Sequence, residues 1–195
     1  MVAVGVTGGI GSGKSLVCEI FKIIGIPVFN ADLESKKLLD TKQVIDFYYK
    51  EFGETVFSNE KLDKQKISQL IFSDKNALQK VNSFVHPLVK ELFQNWSKTQ
   101  DEVPYIIEEA ALLFENNSYS ELNFNILVCA PIETRISRII NRDNLSREAI
   151  IRRINNQLSD NEKRKLANYI IENDDSTMVV PQVLLIHNSI IQKIK

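Results

Sequence analysis

Residues 8–15 read Gly-Gly-Ile-Gly-Ser-Gly-Lys-Ser, and no other stretch restricts the chain as much. A segment this rich in glycine resists both helix and strand and points to a tight loop. Its flanks fix what kind of loop. Ala3-Val4-Gly5-Val6-Thr7 is a short apolar run with the length and composition of a buried strand. On the other side Leu16, Val17, Ile20, Phe21, Ile23 and Ile24 recur at helical spacing, and Gly25 follows as a helix-ending residue. Strand, glycine loop and helix, with the loop fitting G-x-x-x-x-G-K-[ST] in full, form a phosphate cradle. A chance glycine turn would not bring the Lys-Ser pair and both flanks with it.

The chemistry of the cradle follows from its residue types. Glycines let successive backbone N–H groups point inward without a Cβ in the way, and the helix adds the positive end of its dipole. Lys14 can reach the β- and γ-phosphates of a nucleoside triphosphate, and the Ser15 hydroxyl can ligate Mg²⁺.

With 195 residues, 44% hydrophobic and 25% charged, the chain has the make-up of a globular domain with room for an inserted subdomain. A net charge of −1 speaks against nucleic acid or a membrane surface as a general partner. There is no membrane-length apolar run and no signal peptide, so a cytoplasmic location is expected. Cys18 and Cys129 fall in apolar segments and read as core residues. One distribution is uneven: all the arginines, Arg135, Arg138, Arg142, Arg147, Arg152, Arg153 and Arg164, lie in a single span. Their forked guanidinium groups suit phosphate, so the span reads as a lid, with a solvated helix face accounting for part of it.

In chain order, Ile26-Pro27-Val28-Phe29 is a second strand, and Asp32 follows where the strand gives way to a helix. The carboxyl ends of parallel strands form the ligand crevice, so Asp32 is a candidate catalytic group; a helix cap is the competing role. Residues 41–100 are helical and strand-poor, with Asp63 as a cap and an expected break at His86-Pro87. His86 by itself reads as a structural histidine at that break. Tyr105-Ile106-Ile107 is a core strand ending in Glu108 and Glu109, either a metal-orienting carboxylate or a solvated strand end. Phe124–Ala130 and Tyr169–Ile171 are further strands. Pro131 opens a helix bearing Arg135, Arg138 and Arg142, and the last helix begins near Thr177 with Pro181 in its first turn.

Several of these segments together resemble the dephospho-coenzyme A kinase family over nearly the whole chain. The resemblance rests on Val6-Thr7 with the loop through Ser15, then Ala31-Asp32, His86-Pro87-Leu88 and Leu112-Leu113-Phe114-Glu115. Arg138, Arg142-Asp143, Gln157 and Tyr169-Ile170-Ile171-Glu172-Asn173 complete it. It implies an α/β fold, a nucleotide-kinase-like phosphate-loop core with a five-stranded parallel sheet. The core would take in about residues 1–40, 104–135 and 165–195, with a helical coenzyme-binding insertion over about 41–100 and an arginine-rich lid over about 138–164. The implied reaction moves the γ-phosphoryl group of ATP, with Mg²⁺, to the ribose 3′-hydroxyl of dephospho-coenzyme A. Asp32 would be the general base, with Lys14, Arg138 and Arg142 also catalytic. Gly9, Ile10, Gly11, Ser12, Gly13, Lys14, Ser15, Leu16, Arg142 and Asn173 would bind ATP. Thr7, Asp32, His86, Pro87, Leu113 and Glu115 would bind the acceptor, and Ser15 the metal. Neither a nucleic acid, a membrane nor an obligate protein partner is implied. Three positions depart from the family's pattern: Asn30 and Asn168 stand where Asp is usual, and Ala111 where Pro is common.

Rival readings are weaker on the same residues. A switch GTPase needs a D-x-x-G motif after the loop and an N-K-x-D motif, yet no glycine follows Gly53 and no N-K-x-D occurs. An ATPase using Glu108-Glu109 leaves the arginines and the helical insertion without a role. Another small-molecule or nucleotide kinase on the same core is the nearest alternative.

Overall fold

A computed structural model describes residues 1–194, without the Phe72 side chain. The elements are β1 (Ala3–Gly8), α1 (Lys14–Ile23), β2 (Val28–Asn30), α2 (Ala31–Leu38), α3 (Lys42–Phe52), β3 (Phe57–Ser58), β4 (Lys61–Leu62), α4 (Lys64–Ser73) and α5 (Lys75–Ser97). They continue as β5 (Ile106–Glu109), β6 (Phe124–Cys129), α6 (Ile132–Asp143), α7 (Arg147–Asn155), α8 (Asp160–Leu166), β7 (Tyr169–Glu172) and α9 (Val179–Ile194). Contacts divide them into two units, Met1–Asn30 with Thr99–Lys195, and Ala31–Lys98.

The first unit holds a five-stranded parallel sheet in the order β2-β5-β1-β6-β7, as the fold class implied. The chain crosses from β5 on one side of β1 to β6 on the other, so the topological switch point lies at the carboxyl end of β1. The central strands are apolar on both faces because helices and loops cover both. On one face Val4, Val6, Ile107, Ile126 and Val128 pack with Val17, Cys18, Ile20 and Phe21 of α1 and Val183, Ile186 and Ile190 of α9. α1 stops where the sequence said it should. Gly25 takes φ 87°, its N–H bonds to Lys22 O, and Ile26 N–H reaches back to Phe21 O, a Schellman ending.

The arginine-bearing helices are built onto this unit. Ile136 and Ile139 of α6 and Ile150 of α7 form a small core that takes in Ile10 of the glycine loop. Leu158 and Leu166 pack against Leu127, Cys129 and Phe114 on the other sheet face.

The second unit packs Val44 and Tyr48 of α3, Ile67 of α4, and Val81 and Val85 of α5 around Val56. Phe47 and Phe84 stack at 4.0 Å between centroids. Asp63 caps α4 through the amides of Gln65 and Lys66, as expected, and Asp74 caps α5. Three expectations need correction. α2, grouped with the core from sequence, packs with α5 in the second unit. The helix expected to break at His86-Pro87 runs unbroken from Lys75 to Ser97. Pro87 removes one backbone bond, and the apolar face of a helix this long outweighs that loss. The insertion, expected to be all-helical between the second and third strands, also holds a short strand pair: β3 and β4 form a tight hairpin whose turn residues Asn59 and Glu60 have φ 50° and 62°. Asn-Glu lacks the glycine that usually signals such a turn.

Candidate active site

The glycine loop leaves the carboxyl end of β1 and enters α1 at Lys14. Gly13, at φ 95°, precedes the helix, and the first intrahelical bonds run from Leu16 and Val17 N–H to Gly13 O. The amides of Gly13, Lys14 and Ser15 thus come before the first helical hydrogen bond, the position from which a helix binds an anion. Lys14 Nζ donates to Gly8 O at 3.1 Å, which folds the side chain back over the loop.

The outward carbonyls of the loop have partners of their own. Gly9 O accepts from Ser12 N–H at 3.0 Å. Ile10 O accepts from Arg135 Nε at 2.9 Å, and Ser12 O from Asn173 Nδ2 at 2.8 Å. Arg138 Nη1 lies 3.4 Å from both Gly11 O and Ser12 O, while Nη2 donates to Asn173 O at 3.0 Å and pairs with Asp175. Two of the loop glycines leave room for the side chains that brace the loop. A Cβ at Gly9 would lie 2.3 Å from the Arg135 guanidinium, and one at Gly13 would lie 2.1 Å from Asn173 Nδ2.

At the end of β5 the register settles which carboxylate faces the loop. Glu109 pairs with Val6 and shares the face of Ile107, towards α1; Glu108 pairs with Gly5 and faces the opposite way. Glu109, 6% exposed, accepts from Ser15 Oγ at 3.4 Å on one oxygen and from Asn30 Nδ2 at 2.7 Å on the other. A hydroxyl and a carboxylate side by side are hard oxygen donors of the kind that suit Mg²⁺, which takes one or two protein oxygens and completes its shell with water and phosphate. Glu108 has no such setting. Burial, with the Glu121 charge adding to it, pushes its pKa up to about 7.

Two of the three departures, Asn30 and Asn168, bond through their side chains, and Ala111 only through a main-chain carbonyl that proline would share. The Asn30 amide holds Glu109, where an aspartate would set two carboxylates together. Ala111 O accepts from the buried Thr7 hydroxyl at 3.4 Å. Asn168 exchanges two bonds with Asn125: its Oδ1 accepts from Asn125 N–H and its own N–H donates to Asn125 O.

The remaining candidates are spread out. Asp32 is exposed in the first turn of α2, inside the helix rather than at the flanking cap position. Leu16 is exposed beside the loop, and His86 and Pro87 lie on an exposed face of α5. Arg142 is exposed and bonds its neighbour Asp143 through Nε at 2.7 Å. Leu113 is buried, packed as core. Glu115 accepts from Leu158 N–H at 3.1 Å and lies 2.8 Å from Nζ of the wholly buried Lys163. That contact is close but off the hydrogen-bond axis.

Sequence reasoning named neither Glu109 alone nor any support for the loop. A strand covered on both faces carries no alternation by which to choose between Glu108 and Glu109. Arg135 was grouped with the lid, yet it is 3% exposed and braces the loop.

A parallel sheet with its switch point at a Walker-type loop, and a carboxylate beside the loop serine, defines a phosphate-loop kinase core. The particular family is given by comparison: the model of the dephospho-CoA kinase family matches residues 2–178, and the chain belongs to that family. It is 39% identical to the dephospho-CoA kinase of Bacteroides fragilis, covering 99% of this chain and 95% of that one. A crystal structure of a Thermus thermophilus protein superposes with a TM-score of 0.89 at 32% identity, covering 96% of each chain. The dephospho-CoA kinase of Campylobacter jejuni gives 0.69 at 26% identity over 98% of each. Among the described residues no helix is long and apolar enough to cross a membrane.

Proposed function

We propose that this chain transfers the γ-phosphoryl group of ATP to the ribose 3′-hydroxyl of dephospho-coenzyme A, giving coenzyme A and ADP. The observation that carries the reading is the meeting of Lys14, Ser15 and Glu109 at the carboxyl ends of β1 and β5, within a chain of this family. Phosphoryl transfer asks a protein mainly to position groups and to offset charge. The loop amides take the phosphates, and Lys14 swings from Gly8 O to the β- and γ-oxygens. Ser15 and Glu109 would hold Mg²⁺, which neutralises charge on the phosphates when bound. Arg138 and Arg142 close on the transferring group and help to exclude water, the competing acceptor. Thr7, His86, Pro87, Leu113 and Glu115 are assigned to the acceptor side, Thr7, Leu113 and Glu115 by shaping the loop after β5.

Asp32 is the base. A ribose hydroxyl is a poor nucleophile, and a carboxylate that orients it and takes its proton raises the rate. The chain passes from Asn30, at the end of β2, straight into the helical turn that carries Asp32. Asp32→Asn keeps the side chain's size and removes only the charge that suits a helix start, a loss of about 0.3–1 kcal/mol. Turnover of dephospho-coenzyme A should fall about 10²-fold or more with near-normal melting. Turnover within a factor of about two of wild type would remove the base role. Testing wild type against dephospho-coenzyme A, adenylate and adenosine as acceptors tests the reaction itself.

A further inference from the structure

Gln157 and Arg135 hold the two peptide groups of the loop on which the direction of its amides depends. Gly9 O accepts from Ser12 N–H, and Gly11 has φ 80°, so Gly9–Ser12 is a turn with the left-handed third residue of type II. Type I and type II turns differ by a flip of the central peptide, here Ile10–Gly11. In the flipped form Ile10 O would take the place of Gly11 N–H and present a carbonyl to a bound anion. Arg135 Nε holds Ile10 O at 2.9 Å, and because the peptide is planar and trans, Gly11 N–H points the opposite way. One residue earlier, Ile10 N–H donates to Gln157 Oε1 at 2.9 Å, which fixes the Gly9–Ile10 peptide and with it the Gly9 carbonyl that closes the turn.

Both side chains are themselves held by the junction between α7 and α8. Arg135 Nη1 lies 3.4 Å from Asp160 Oδ1, at the start of α8. Leu158, next to Gln157, donates its N–H to Glu115, which is paired with the buried Lys163. Ser159 forms a capping box with Glu162. The Ile10 side chain packs into the cluster of Ile136, Ile139 and Ile150, so the residue is fixed at its amide, its carbonyl and its side chain.

We propose that Gln157 and Arg135 are positioning residues for the reaction: they hold the Gly9–Ser12 turn in the form that aims its amides at phosphate before any nucleotide arrives. This rests on the reading of the loop as a triphosphate site. Losing one such bond should weaken phosphate binding roughly 5- to 30-fold, about 1–2 kcal/mol, the cost of leaving one polar group without its partner.

The test uses Gln157→Leu, which keeps volume and removes the acceptor, with Arg135→Met as the stronger partner. Inorganic pyrophosphate with Mg²⁺ is titrated into each protein, and KM is measured for ATP and for dephospho-coenzyme A. Spectra of glycine-labelled protein follow the Gly9 and Gly11 amides. For Gln157→Leu the expected result is pyrophosphate affinity and ATP KM worse by that factor, acceptor KM unchanged, and both glycine amides shifted in the free protein. A normally melting Gln157→Leu with ATP KM within about twofold of wild type overturns the proposal. So does an equal rise in both KM values with a lowered Tm, which would make the junction merely structural. If Arg135→Met does not fold, Gln157→Leu alone decides. Wild type that takes no pyrophosphate would instead defeat the functional reading beneath it.

Discussion

The glycine loop and the arginine-bearing helices both read from sequence as phosphate-facing, yet they are built in opposite ways. Around the loop, partners are internal: Arg135, Arg138 and Asn173 donate to its outward carbonyls, and Arg135 and Asn173 are almost wholly buried. Further along the same helix Arg142 is bonded to its neighbour Asp143, and Arg147 of the next helix to Glu133, both in solvent. Exposed pairs of this kind contribute about 0–1 kcal/mol and are readily exchanged. One residue type therefore serves as a brace where it is buried and as a movable contact where it is not. The cradle is held in advance; of the two arginines proposed to close on the phosphoryl group, Arg142 is held only by an exposed pair, while Arg138 already bonds the loop and would act from there.

The largest expected effect breaks the held half at the loop lysine. Lys14→Ala should lower kcat by about 10³-fold, the upper end for removing a group aimed at developing charge, while the melting curve stays put. Lys14 bonds the loop at Gly8 O and lies outside the buried core, so little packing is lost. Turnover unchanged at saturating ATP would sink the assignment of the loop.

Arg142→Ala tests the movable half. The rate should fall about 10²-fold, less than the full worth of an arginine on a transferring phosphoryl group because Arg138 shares the role. ATP affinity without acceptor should hardly change, since the contact forms only on closure. An equal loss in ATP affinity and rate would place Arg142 with the held groups and erase the distinction.

How much of this was legible follows the same divide. The strand–loop–helix over residues 3–25 was readable because each signal is local: apolar length, glycine spacing, helical period and a C-terminal glycine. The parallel five-stranded sheet came with the family resemblance. What escaped depends on contacts across the sheet or between distant segments. Glu109 could be separated from Glu108 only by strand register. The braces Arg135 and Gln157 reach Ile10 from more than a hundred residues away. Pro87 misled because a local rule about helix breaks was overruled by the packing of a long amphipathic helix.

The smallest predicted effect concerns a half-buried group whose titration the fold itself has moved. Glu108 lies on the sheet face away from Glu109, half-buried, with its pKa pushed up to about 7 by burial and, second, by Glu121. The ordinary value is 4.5, so between these limits the folded protein keeps a proton that the unfolded chain has released. Stability must therefore fall as pH rises through the window and level off above it. A tenfold difference in acidity between folded and unfolded chain is worth about 1.4 kcal/mol, and solvent screening of a half-buried carboxyl reduces the total to about 1–2 kcal/mol. Glu108→Gln keeps the neutral shape at every pH. Its Tm should therefore gain on wild type by about 2–8 °C between pH 5 and pH 8, with turnover at pH 8 unchanged. A parallel pH dependence of Tm in the two proteins would show that Glu108 ionises as a solvated carboxylate. A large loss of turnover would instead move Glu108 into the site, and the assignment of facing by strand register would have to be reversed.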